Sequence, residues 1–121
     1  MHKILIIDDD DGVRNSLFYH FEDCGYSVSL AISGEEAVEL LENNSFDIII
    51  VDLRLPRLRG DDFIKKVYNK TNNTKFIMFT GSEEYTLCHE LKALPRVCNV
   101  VYYKPLVNLN LLNQEIESLL K

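Results

Sequence analysis

Ile4-Leu5-Ile6-Ile7 leads directly into four acids, Asp8, Asp9, Asp10 and Asp11. Asp52 follows Ile48-Ile49-Ile50-Val51 in the same way, Thr80 follows Phe76-Ile77-Met78-Phe79, and Lys104 follows Tyr102-Tyr103. An aliphatic run bounded by a polar break reads as a buried parallel strand, so these polar side chains stand at strand ends. Two carboxylates about 4 Å apart repel by roughly 1 kcal/mol in water and about 4 kcal/mol at an effective dielectric of 20. A hard divalent cation with oxygen ligands offsets that cost, and Mg²⁺ takes one or two protein carboxylates plus phosphate oxygens. Asp8 and Asp9 are the expected ligands. Asp52, on the same edge, is placed as a nucleophile toward phosphorus that would give an acyl phosphate. The Lys104 ammonium would neutralise charge on the transferring group, and the Thr80 hydroxyl would donate to a phosphoryl oxygen. Gly81 leaves room for phosphate and adds a backbone N–H.

The elements that position these residues alternate along the chain. Strand-like runs are Lys3–Ile7, Tyr26–Ala31, Phe46–Val51, Lys75–Phe79 and Val97–Tyr103. Between them lie amphipathic stretches. The first carries Val13, Leu17 and Phe21 at four-residue spacing. The second opens on Ser33-Gly34-Glu35-Glu36, a capping box, followed by Ala37, Val38, Leu40 and Leu41. The third follows Gly60 and presents Phe63, Ile64 and Val67. The fourth is expected from about Glu83 to Ala93, with Leu87 and Leu91 inward and Pro95 ending it. The fifth starts near Asn108 and presents Leu109, Leu112, Ile116 and Leu119; Leu111 and Leu120 fall off that stripe, toward a partner. Five βα units predict an α/β fold: a doubly wound, flavodoxin-like (βα)5 domain with a five-stranded parallel sheet of order 2-1-3-4-5. In that order the switch point lies beside strands one and three, so the acids, the hydroxyl and the amine meet on one edge.

Composition narrows the function. The 121 residues suit one domain, residues 1–121, and a 46% apolar content with six Phe and six Tyr supports a packed core. A net charge of −6 opposes nucleic-acid or anionic-membrane binding, which need a basic footprint. Cys24, Cys88 and Cys98 are odd in number with no metal spacing, and read as reduced thiols in a cytoplasmic protein. The apolar runs are too short to span a membrane, and the acids after Ile7 exclude a signal peptide.

Four motifs in order, Asp8-Asp9, Asp52 to Pro56 with Gly60, Thr80-Gly81 and Lys104-Pro105, closely resemble the response-regulator receiver domain of two-component signalling. The resemblance covers essentially the whole chain. It implies that Asp52 is the phosphoacceptor for a sensor histidine kinase or a His phosphotransfer protein in a phosphorelay. It implies that Asp8, Asp9, Asp52 and the backbone carbonyl of Arg54 hold Mg²⁺, that Thr80 is the switch hydroxyl, and that Lys104 pairs with phosphate. It further implies a cis Lys104–Pro105 bond and a protein-interaction face, with homodimerisation through the fourth and fifth helices as one use of it. Such a chain is not an enzyme in the usual sense, since it catalyses only its own phosphorylation and dephosphorylation.

The chain departs from the family in two places. Val101 stands where members carry an aromatic residue three places before the Lys, and Tyr102 and Tyr103 are offset by one and two places. With no ring at that position, activation is expected to move the segment from Gly81 to Leu91, with Tyr102 and Tyr103 as packing residues. Leu94-Pro95-Arg96-Val97-Cys98-Asn99 replaces the usual Gly-Ala turn. Asp10 and Asp11 are expected to stabilise the first helix, Arg54, Arg57 and Arg59 to lie in an exposed loop, and His20 and His89 to lie on the surface. The rival readings are three. A Mg²⁺-dependent aspartyl phosphatase would need a second acid where Arg54 stands. A flavin or nucleotide module would want a Gly- or hydroxyl-rich turn in place of the four acids. A receiver-like module could act by contact alone, without phosphorylation.

Overall fold

The computed structural model describes residues 1–105 and 108–121. In chain order these form β1 (Lys3–Ile7), α1 (Asp11–Asp23), β2 (Ser27–Ala31), α2 (Gly34–Asn43), β3 (Ile48–Val51), α3 (Gly60–Val67), β4 (Lys75–Thr80), α4 (His89–Lys92), β5 (Tyr102–Tyr103) and α5 (Asn110–Leu120). A single 3₁₀ turn, Tyr68–Lys70, extends α3. The strands form one parallel sheet in the order β2-β1-β3-β4-β5, as the alternation of strands and helices predicts.

Both faces of the sheet are covered, so the inner strands carry buried apolar side chains on both faces at Ile4–Ile7, Ile48–Val51 and Phe76–Phe79. Leu5, Ile7, Ile49, Val51, Phe76 and Met78 face one layer, with Ala37, Phe63, Ile64, Val67 and Leu91. Ile4, Ile6, Ile48, Ile50, Ile77 and Phe79 face the other, with Leu17, Phe21, Leu112 and Ile116. Burying each large aliphatic or aromatic side chain contributes about 1.5–3 kcal/mol. The period-two alternation also fixes register, because a slip of one residue would exchange the two layers.

Local signals set the helix starts. Ser33 caps α2, its Oγ accepting from Glu36 N at 3.1 Å as the capping box predicts; the Glu36 carboxylate accepts from Ile32 N at 3.3 Å, one residue before the cap N–H that the reciprocal half of the box would use. Asp10 caps α1 by accepting from Val13 N at 3.0 Å.

Three expectations need correction. The fourth helix shrinks to His89–Lys92. Ser82 to Tyr85 forms a turn closed by Tyr85 N donating to Ser82 O at 3.0 Å, and Cys88 is extended. Leu87 and Leu91 are nevertheless buried, so the apolar spacing marks inward residues on an irregular segment. The fifth strand shrinks to two residues: Val97 makes an isolated bridge to Phe76, and Asn99 and Val100 are exposed between bridge and strand. Leu120 packs partly on the core beside Leu119, whereas Leu111 is exposed.

Arg96 organises the unusual segment before β5. Its guanidinium donates to Thr71 Oγ1 at 3.0 Å, Thr74 O at 2.9 Å and Tyr68 O at 2.5 Å, and lies 3.9 Å from the centre of the Tyr68 ring. The Tyr68 hydroxyl accepts from Arg96 N at 3.2 Å. Hydrogen bonds from a charged donor are worth about 1.5–3 kcal/mol, so Arg96→Ala should lower stability by that order, measured as a shift of the urea midpoint at unchanged slope.

Candidate functional site

The carboxyl edge of the sheet collects the acids. Asp8 and Asp52 directly follow Ile7 and Val51, which are register partners in adjacent strands. Asp52 N donates to Ile7 O at 3.0 Å, which carries the pairing one residue past β3. Asp8 and Asp52 are buried and Asp9 is exposed, and one oxygen from each of the three lies within 4.8 Å of the others. The Lys104 ammonium is 2.5 Å from Asp8 Oδ2 and 3.5 Å from Asp52 Oδ2. It arrives from β5, across the width of β4, passing 5.6 Å from the centre of the Phe79 ring. Lys104 N donates to Thr80 O at 2.8 Å, and the Lys104–Pro105 peptide bond is cis.

Asp8 is held by more than Lys104. Its Oδ1 accepts from Asp10 N at 2.9 Å, and its carbonyl accepts from Arg14 Nη1 at 2.7 Å. The Asp52 carboxyl sits above the usual carboxylate range. Burial is the first cause and the Asp8 charge the second; Lys104 and the backbone N–H of Arg54 pull it partly back.

Among the described residues, three carboxylates gather here and one ammonium meets two of them, Asp8 and Asp52, which leaves a local excess of negative charge among oxygen donors. That donor set fits a hard cation such as Mg²⁺. Arg54 is exposed between buried Leu53 and Leu55, with its carbonyl in the same loop as Asp52.

The remaining expected residues are placed as follows. Thr80 is fully buried at the end of β4, and its Oγ1 accepts from Ser82 N at 3.1 Å. Tyr103 is the register partner of Thr80, and its hydroxyl donates to Tyr85 O at 2.5 Å; Tyr102 donates to Glu115 Oε1 at 2.8 Å. Arg57 and Arg59 are exposed but paired, with Glu35 at 2.6 Å and Asp61 at 3.0 Å. His89 is exposed. His20 is only half-exposed, with Nε2 2.9 Å from Asn113 Oδ1, which corrects the surface reading. Burial pushes the Cys98 thiol up to about 11, which removes it as a nucleophile near neutral pH.

Sequence reasoning missed Arg14 and gave Gly60 only as a marker. A basic residue in the first turn of a helix opposes the macrodipole, and that anomaly was a readable sign that Arg14 serves something else. Gly60 lies against the backbone of Asp52: a Cβ there would be 2.2 Å from Asp52 O.

With this geometry in place, the relatives are informative. Residues 4–102 match the response regulator receiver domain family, and the chain belongs to that family. It is 36% identical over 83 residues to the probable transcriptional regulator ycf27 of Cyanidium caldarium, covering 69% of this chain and 33% of that one. The chain thus spans about a third of the length of the curated relatives it matches. Among solved structures, response regulator TrrA of Thermotoga maritima in complex with Mg²⁺–BeF has a TM-score of 0.84 at 24% identity, covering 98% of this chain and 99% of that one. The complex of histidine kinase ThkA with TrrA matches at a TM-score of 0.84 and 26% identity over the full length of both chains. The chain is therefore a receiver domain of the response-regulator type, with the predicted topology. Among the described residues no helix is long and apolar enough to cross a membrane.

The raised Asp52 carboxyl has a consequence for stability. A group whose pKa is higher folded than unfolded favours folding while protonated, and that contribution is lost as pH rises through the folded value. Asp52→Asn should therefore raise the metal-free thermal midpoint by a few degrees at neutral pH. The gain should fade as pH falls below the carboxylate range, where both states of Asp52 are protonated. A set of melting curves between acid and neutral pH checks both sign and window.

Proposed function

We propose that this chain is the phosphoacceptor of a two-component pathway and that Asp52 takes the phosphoryl group. The observation that carries the reading is the pair of buried carboxylates, Asp8 and Asp52, served by a single ammonium. The donor is the phosphorylated His of a sensor kinase or His phosphotransfer protein; the ThkA–TrrA complex supports that class of partner. An Asp52 carboxylate oxygen attacks phosphorus, the P–N bond to imidazole breaks, and the imidazole leaves with the electron pair. The product is a mixed anhydride, and water later returns the carboxylate and phosphate.

Asp8, Asp9, Asp52 and the Arg54 carbonyl would hold Mg²⁺, whose charge would neutralise the phosphoryl oxygens; the Mg²⁺–BeF complex of TrrA supports that choice of ion. Lys104 supplies a second positive charge and Thr80 a hydroxyl. Apart from handling its own phosphoryl group the chain is not an enzyme. We assign residues 1–121 to one receiver domain acting in the cytoplasm, with its output through protein contact, including a homodimer across the α4–α5 face. Incubation with acetyl phosphate and Mg²⁺ should add one phosphoryl group, labile to hydroxylamine, to the wild type and none to Asp52→Asn. Asp9→Ala should lose most of the Mg²⁺-dependent rise in thermal stability. An equal adduct in Asp52→Asn by intact mass, or an unchanged Mg²⁺ response in Asp9→Ala, would refute the assignment.

One observation favours a different account of the switch from the one Val101 suggests. Tyr103 lies beside Thr80 in register and its hydroxyl holds the Tyr85 carbonyl, so a ring two positions later tethers the loop after β4. Tyr103→Phe should speed amide exchange from Ser82 to Cys88 and leave the rate of Asp52 phosphorylation within about twofold, because the lost bond touches no site residue. Unchanged exchange in that loop would return the switch to the loop and α4 alone.

A further inference from the structure

Gly34 is the first residue of α2 and is buried. Its backbone does not lie in the left-handed region, and glycine is otherwise disfavoured inside a helix. The reason for it is contact: a Cβ at Gly34 would lie 2.9 Å from Leu58 Cδ2 and 3.2 Å from both Leu58 Cβ and Cγ. Leu58 thus fills a notch made by the missing side chain.

The turn that presents Leu58 is strained. Arg57 has a φ of 64°, and Leu58 N donates to Pro56 O at 2.7 Å. That is a γ-turn with a non-glycine residue in the left-handed region, a rare conformation that persists only where its surroundings over-determine it. Those surroundings are the first two residues of α2. Leu58 seats on Gly34, and Arg57 Nε donates to Glu35 Oε2 at 2.6 Å.

The same turn belongs to a closed loop. Gly60 N donates to Leu53 O at 2.9 Å, and Leu53 and Leu55 are buried. A displacement of Leu58 is therefore taken up between Leu53 and Gly60, the segment that carries the Arg54 carbonyl and adjoins Asp52.

We propose that Gly34 and Glu35 are positioning residues: the N-terminus of α2 clamps the Pro56–Leu58 turn and so sets the Arg54 carbonyl and Asp52 for the cation. The link to the cation rests on the metal reading given above. The test is a calorimetric Mg²⁺ titration together with hydrogen exchange of the metal-free protein, on wild type, Gly34→Val and Gly34→Val/Leu58→Ala. The double variant moves three carbons from one side of the contact to the other and keeps its volume. Gly34→Val should weaken Mg²⁺ binding by roughly 10-fold, the size of effect that outer residues supporting metal ligands show. It should also speed exchange of the Leu58 amide while the Ile49 and Ile50 amides stay protected. The double variant should recover most of both. Wild-type Mg²⁺ affinity or wild-type Leu58 exchange in Gly34→Val would overturn the proposal, as would no recovery in the double variant. If Gly34→Val fails to fold, Gly34→Ala adds only the Cβ and should move both readouts the same way by less; no movement overturns the proposal. No Mg²⁺ binding by the wild type would overturn the metal reading and the link to the cation with it. Normal wild-type binding with an indifferent Gly34→Val would overturn the clamp alone.

Discussion

Asp8 and Asp52 are both buried, and both face the ammonium of Lys104. Each of the three comes from a different strand end. The pairing of Ile7 with Val51 puts the two acids side by side, and a slip of one residue between β1 and β3 would separate them. Lys104 comes from β5, two places along the sheet from β3, and its long side chain spans the gap over Phe79. The cluster is therefore only as secure as the register of the sheet. The two apolar layers that lock this register are the indirect support of every distance at the site.

The support has a price at the site itself. Burial and the Asp8 charge push the Asp52 carboxyl up, and Lys104 and the Arg54 N–H offset only part of that. The two carboxylates remain under mutual repulsion in a place of low dielectric. Electrostatically, a positive charge brought to this edge is favoured before it makes any specific contact. The backbone around the site is correspondingly tight. Gly60 lies against Asp52 O, and Arg14 and the Asp10 N–H hold Asp8.

Much of this was readable from the residues because buried parallel strands announce themselves. Ile4 to Ile7, Ile48 to Val51 and Phe76 to Phe79 are uninterrupted apolar runs, and the first polar residue after each is a candidate site residue. The α2 cap was readable because it is local: Ser33 Oγ accepts from Glu36 N, three residues on. What was not readable depends on contacts distant in sequence. Leu87 and Leu91 carry helical spacing, yet the carbonyl of Tyr85 is taken by Tyr103, 18 residues on, and the helix forms only from His89. Val97 to Tyr103 reads as a strand, but Arg96 is tied to Tyr68, Thr71 and Thr74, and only its ends reach β4. Gly34 sits in a helix start where a capping box explains everything except the glycine, whose reason is Leu58, 24 residues away.

The brevity of β5 bears on how the site can be opened. Tyr102 and Tyr103 make two register pairs with β4, and the chain leaves the sheet between them and the Val97 bridge. Strand ends held by so few bonds belong to the low-stability end of a structure, where local opening costs far less than global unfolding. The two acids follow β1 and β3, in the middle of the sheet, while their counter-charge follows its shortest strand. The anionic half of the site is thus built into the centre of the fold and the cationic half onto its margin, so that a change in β5 alters the charge balance at the acids without touching the strands that hold them.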